Sequence, residues 1–91
     1  MSPKINPIPG MPTIGPAQLA LLERLSNAVA VSGNEDEVRA IVLESVKPYA
    51  DEIRVDAMGN VLVTCHSKSA HPLRVMLDAH MDEVGFMIVE D

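Results

Sequence analysis

Aromatic side chains are nearly absent: the 91 residues hold no Trp, one Tyr and one Phe. Any core must therefore be built from Val, Ile, Leu, Met and Ala. Cysteine is equally scarce. The single residue, Cys65, excludes an internal disulfide and fits a reducing, cytoplasmic compartment. Basic residues are outnumbered, with seven Lys+Arg against thirteen Asp+Glu and a net charge of -6. That balance argues against general nucleic-acid binding, which needs a basic footprint to displace counterions. It argues equally against an anionic membrane surface. No unbroken apolar run exceeds four residues, as at Ala28–Val31 and Ala40–Leu43, so no bilayer span is expected. Lys4 is followed by prolines rather than an apolar block, which argues against a secretory signal. A chain of this length buries only roughly 60% of its unfolded surface, so shortness itself weighs on every expectation.

Proline, by contrast, is concentrated. Residues 1–16 hold five of the seven prolines and two of the five glycines. Neither helix nor central strand tolerates that density, so the segment reads as a Pro-rich arm, extended or disordered. Ile5, Ile8, Met11 and Ile14 recur every three residues. In a polyproline II helix that period would gather them into one apolar stripe, able to dock on the domain or a neighbouring subunit. A flexible tail with accidental spacing is the alternative.

From residue 17 the pattern changes. Pro16 suits a first helical position, because its missing N–H would have no intrahelical partner there. Leu21, Leu22, Leu25 and Val29 then fall on one helical face. Asn34 reads as the N-cap of a second helix, with Glu37 placed to reach back in a capping box. Glu35, Asp36 and Glu37 then complement the helix dipole as a solvated first turn rather than a metal cluster. Val38, Ile41, Val42, Ser45, Val46 and Tyr49 form its expected inward face, and Pro48 should end it. Four strands follow in expectation: Ile53–Asp56, Val61–Cys65, Leu73–Ala79 and Val84–Val89. A turn lies at Asp56–Asn60, and Gly85 is a weak point in the last strand. Val61–Val63 are continuously apolar, which suggests an interior strand covered on both faces. Two helices followed by about four strands make an α/β fold, part of a layered domain.

One stretch is chemically loaded: Asp78-Ala79-His80-Met81-Asp82-Glu83. Strand geometry would project Asp78, His80 and Asp82 to one side, at the type of strand end where α/β sites are built. A His binds a metal through one ring nitrogen while a carboxylate takes the other N–H, fixing the tautomer. The H-x-D spacing supports that arrangement, and it equally supports two direct ligands. Taken alone it also fits a plain histidine at a strand end. Elsewhere, Cys65 reads as a small core residue. His66, adjacent on a strand, faces the opposite way and cannot pair with it. His71 reads as a solvated loop residue. No G-x-S-x-G element, phosphate loop or C-x-x-C pair is present.

Three segments together resemble one family: Ser32-Gly33-Asn34-Glu35, Asp56-Ala57-Met58-Gly59-Asn60, and Leu77-Asp78-Ala79-His80-Met81-Asp82-Glu83-Val84-Gly85-Phe86. They are similar to the glutamyl and deblocking aminopeptidases, which include the self-compartmentalising tetrahedral aminopeptidases. The resemblance runs from about Ala17 to Asp91. It implies the N-terminal part, residues 17–91, of a larger phosphorylase/hydrolase-like zinc-exopeptidase domain. It implies a cytoplasmic, homo-oligomeric enzyme that hydrolyses N-terminal residues from peptide substrates with metal-activated water. Its cofactors would be two divalent metal ions per intact site, zinc or cobalt. The histidine matching His80 would be a metal ligand. The aspartate matching Asp82 would belong to the catalytic machinery by orienting that ligand. Asp78 and Glu83 take no role from the resemblance. The endoglucanase label that some family members carry gains no support, since one acidic stretch does not make an acid and nucleophile pair.

Intact family members are several times longer. Their bridging aspartate, further acidic ligands, general-base glutamate and second histidine fall beyond residue 91. A catalytic zinc needs about three protein ligands, so the isolated chain is expected to be inactive, with Asp91 reading as a cut. A non-catalytic α/β association module is the competing reading, because buried-type strands without partners leave open edges and apolar faces. A lone metal sensor is a third.

Overall fold

The computed structural model describes residues 10–90. Two helices lead: α1, Pro16–Asn27, and α2, Asp36–Val46. A hairpin follows, with β1, Glu52–Val55, paired antiparallel to β2, Val61–Thr64. The register sets Glu52 opposite Thr64 and Val55 opposite Val61. The α/β class and both helices agree with the sequence expectation. Among the described residues no helix is long and apolar enough to cross a membrane.

The local chemistry explains the helix limits. Pro16 occupies the first turn of α1, where the missing donor costs nothing. Ahead of it, the Gly15 N–H donates to Gln18 Oε1 at 2.9 Å. The Pro-rich arm's Ile5 and Ile8 lie outside the described residues. Met11 and Ile14 are exposed, in a stretch that is neither helix nor strand. At the start of α2 the expected capping box does not form. Glu35, not Asn34, is the N-cap. Its Oε1 accepts the Gly33 N–H at 3.0 Å, while Glu37 Oε2 accepts the Val29 N–H at 3.1 Å. Glu37 thus serves the connection that precedes the helix. Asn34 is instead drawn into a tight turn by its own N–H, which donates to Val31 O at 2.7 Å. The helix closes at Val46, ahead of Pro48, as expected.

The core is small. Ala28, Ala30, Val38 and Ile41 are buried, with Leu21, Leu25 and Met81 packed against them. Leu21 and Leu25 are one turn apart on α1, and Val38 and Ile41 share a face of α2. Leu22, Val29 and Tyr49, expected inward, are exposed. Two of the expected strands do not form: Leu73–Ala79 and Val84–Val89 have no ladder partner among the described residues. β-propensity only describes fitness for a pleated, half-buried surface. A strand also needs a neighbouring backbone to take its N–H and C=O groups. Nor is β2 the interior strand its apolar run suggests. It is paired on one side only, and Leu62 and Val63 remain partly exposed. Cys65, just past its end, is likewise exposed rather than in the core. The surface reflects this. It measures 8770 Å², against about 5,200 Å² for a compact monomer of this mass. Leu77, Val84 and Phe86 are at least nine-tenths exposed.

The turn between the strands is the best-bonded part of the hairpin. The Asp56 carboxylate accepts the Met58 N–H at 3.0 Å, the Asn60 N–H at 2.9 Å and the Asn60 side-chain amide at 2.9 Å. These bonds, those from Asn60 first, hold its pKa below the ordinary carboxylate value. Gly59 has φ of 88°, a left-handed conformation that costs an L side chain. Its carbonyl accepts Arg39 Nε–H at 2.8 Å. Arg39, largely buried along α2, also reaches Asp36 at 2.7 Å. This single side chain ties the helix to the hairpin turn.

Candidate metal site

The loaded stretch is placed by what lies on its C-terminal side. The Glu83 N–H donates to Ala30 O at 2.7 Å. Val31 and Glu83 form an isolated parallel bridge. Met81 turns onto the Ala28, Ala30, Val38 and Ile41 cluster. The segment therefore leans on the connection between α1 and α2, and it presents His80 and Asp82 beside the partly buried Met81. Both line an open concave surface that continues past Val38 to the hairpin residues Val61 and Val63.

His80 and Asp82 meet. His80 Nδ1 lies 2.9 Å from the Asp82 carbonyl oxygen and 3.3 Å from its carboxylate Oδ1. A carbonyl only accepts, so Nδ1 donates, and in the neutral ring Nε2 keeps the free lone pair. The His80 side chain is 86% exposed and that of Asp82 47%. Among the described residues the polar partners of the imidazole are these two Asp82 oxygens, which orient it.

The other candidates are dispersed. Asp78 is exposed, and it forms no pair with His80 or Asp82 among the described residues. The strand that would have aligned the three side chains is absent, so the expected projection does not hold for Asp78. His66 Nε2 lies 3.6 Å from Glu52 Oε2 across the open end of the hairpin, and the His66 backbone N–H donates to Asp51 Oδ2 at 2.6 Å. Cys65 Sγ lies 3.3 Å from Tyr49 O. His71 is exposed, as its loop position suggests. In the first turn of α2, Asp36 is bonded to Arg39 and Glu37 to Val29. Among the described residues no three His, Cys, Asp or Glu side chains converge tightly enough to hold a metal ion.

The residues present thus fit one ligand and its orienting group, not a closed coordination sphere. Sequence reasoning missed Ala30, Val31 and Arg39, which hold the site and the hairpin. Their contacts span twenty or more positions and leave no periodic trace. The one available signal was glycine at 59 and 85, each facing a side chain where a Cβ would clash.

Comparison with known proteins adds to this geometry. Residues 59–90 match the model of the M42 glutamyl aminopeptidase family. The chain is 38% identical over 69 residues to a lysyl aminopeptidase of Pyrococcus furiosus, covering 75% of this chain and 19% of that protein. It is 36% identical over 67 residues to a glutamyl aminopeptidase of Lactococcus lactis, covering 74% and 19% respectively. It spans about a fifth of the length of the curated relatives it matches. No solved structure matches.

Proposed function

The chain belongs to the M42 glutamyl aminopeptidase family, and from that premise we propose that it is part of a metal-dependent aminopeptidase releasing N-terminal residues from peptides. In this reading His80 binds a divalent metal, zinc or cobalt, through Nε2. Asp82 holds the ring by accepting from Nδ1–H. The observation that carries the assignment is the 2.9 Å bond from His80 Nδ1 to Asp82 O, which leaves Nε2 as the exposed lone-pair nitrogen. When bound, such a metal would supply Lewis acidity toward a peptide carbonyl. The chain's own residues orient the ligand ring. The remaining donors belong, in this proposal, to sequence matching the other four-fifths of the relatives. The 91 residues alone are accordingly inactive on aminoacyl-nitroanilides with added zinc or cobalt. The intact enzyme would work in the cytoplasm as a homo-oligomer.

Zinc titration of the chain into the millimolar range, followed on the imidazole resonances so that one-ligand binding registers, tests the reading. His80→Ala should remove the binding, whereas Asp82→Ala keeps the carbonyl that accepts Nδ1–H and loses only the carboxylate at 3.3 Å, so it should weaken binding by less than the about 10–100-fold that loss of a ligand's hydrogen-bond partner costs. Wild-type affinity in His80→Ala would overturn the assignment.

A second reading, a non-catalytic association module, draws on the exposed apolar stretches around Leu73–Leu77 and Val84–Val89. Sedimentation that shows reversible self-association near micromolar concentration, with no zinc binding, would favour it. A strict monomer would eliminate it.

A further inference from the structure

We infer that Gly85 is a positioning residue for His80, and that its fit against Val31 sets the tautomer of the exposed imidazole. This inference rests on the reading of His80 as the site residue. It concerns how the ring is held, not what the ring binds.

Three observations carry it. A Cβ at Gly85 would lie 2.6 Å from Val31 Cγ2, a separation side chains do not reach. Gly85 is not among the positive-φ glycines, so the constraint is space and not dihedral angle. The same two segments are joined two residues earlier, by the Val31–Glu83 bridge and by the Glu83 N–H to Ala30 O at 2.7 Å. The bare Cα at 85 is what lets that bridge close. Finally, among the described residues the ring of His80 is held by Asp82, whose carboxylate Oδ1 lies at 3.3 Å from Nδ1 and whose carbonyl is nearer. Its ring is 86% exposed, and its one side-chain hydrogen bond is to Asp82 O, immediately before the bridged residue.

The consequence runs through the backbone. Closing the bridge at Glu83 fixes the peptide that carries the Asp82 carbonyl. That carbonyl takes the proton of Nδ1. An unconstrained neutral histidine in water favours the proton on Nε2, so the Asp82 carbonyl reverses the intrinsic preference. A methyl at residue 85 would push the segment off Val31, turn the Asp82 carbonyl away and return the ring to its solution tautomer. Trimming Val31 removes the obstacle. The nearest remaining atom of residue 31 would be its Cβ, 3.8 Å from a Cβ at 85, an ordinary contact.

The test is long-range 1H–15N correlation of the imidazole rings at mildly alkaline pH, without metal, on the full chain. Wild type should show His80 as the Nδ1–H tautomer, while His66 and His71 serve as internal references. Gly85→Ala should shift His80 to mainly Nε2–H. The pair Val31→Ala, Gly85→Ala should restore Nδ1–H. Far-UV circular dichroism should be unchanged throughout. A wild-type tautomer in Gly85→Ala would overturn the inference. So would a failure of the double variant to restore it, or loss of helix in Gly85→Ala, which would make the contact one that holds the fold. Because no metal is present, this outcome is independent of zinc binding. A chain with the expected tautomer pattern and no zinc affinity would retire the metal assignment and leave the positioning role standing.

Discussion

Gly59→Ala probes the junction on which the hairpin depends. The substitution has two separable costs. Placing a Cβ at φ of 88° costs about 1–2 kcal/mol, from crowding against the following carbonyl. The new methyl would also sit 2.5 Å from Arg39 Nη2 and 3.2 Å from its Cζ. The guanidinium must then move, and its 2.8 Å bond to Gly59 O breaks. A hydrogen bond with a charged donor contributes about 1.5–3 kcal/mol. The lower half of that range applies, because the tip of a flexible side chain can relocate and Asp36 stays within its reach. The total is about 2.5–4 kcal/mol. A double-mutant cycle with Arg39→Met, which keeps the aliphatic stem, separates the two parts. In the Arg39→Met background Gly59→Ala should cost only the dihedral part, leaving a coupling of about 1.5–2 kcal/mol. Urea unfolding followed by far-UV circular dichroism measures all four proteins. A coupling within about 0.5 kcal/mol of zero, the scatter of independent sites, would refute the claim that Arg39 and Gly59 act together.

Further outcomes follow from the same structure. Asp56 has its carboxyl held below the ordinary value, so its contribution is full above the unfolded pKa of about 3.9 and is lost as pH falls through the folded value. The protection factors of the Met58 and Asn60 amides, which compare exchange with the intrinsic rate at each pH, should therefore fall in acid below about pH 4. Asp56→Asn should flatten that dependence, and an unchanged profile would contradict the turn chemistry. Ile41 belongs to the buried apolar cluster with Ala28, Ala30 and Val38, so Ile41→Ala should cost about 2–5 kcal/mol and Ile41→Val about 0.5–1.5 kcal/mol. Chemical denaturation checks both values, and equal costs would mean the core is not packed as described. Arg24→Ala breaks an exposed pair with Glu44 at 2.9 Å and should change stability by less than about 1 kcal/mol. A larger loss would show the α1–α2 contact to depend on charge.

What the sequence made legible was local. The spacing of Leu21 and Leu25, and of Val38 and Ile41, located both helices. Pro16 and Pro48 marked an entry and an exit. Asp56, Gly59 and Asn60 marked the turn, because each residue type answers a requirement within four positions. His80 and Asp82, two apart, met as their spacing suggested. What failed needed a distant partner. Leu73–Ala79 has the composition of a strand, but composition supplies no neighbouring backbone. Cys65 has a core-like type, but nothing covers the place where it sits. The capping box at Asn34 was legible as a motif, yet Glu37 found a stronger use across the α1–α2 connection. Val31 against Gly85 and Arg39 against Gly59 join residues 54 and 20 positions apart, and no periodicity records such pairings. The elements were thus readable from near neighbours. The seating of the site was not, since it is made by a long-range bridge.

The central claim is that His80, held by Asp82, offers Nε2 to a divalent metal. Zinc titration observed on the three imidazole rings by 15N resonance tests it most directly. The account predicts that His80 Nε2 shifts first and furthest, while its Nδ1 stays protonated and His66 and His71 lag. Equal shifts of all three rings, or a metal-dependent change at Nδ1 of His80, would contradict it.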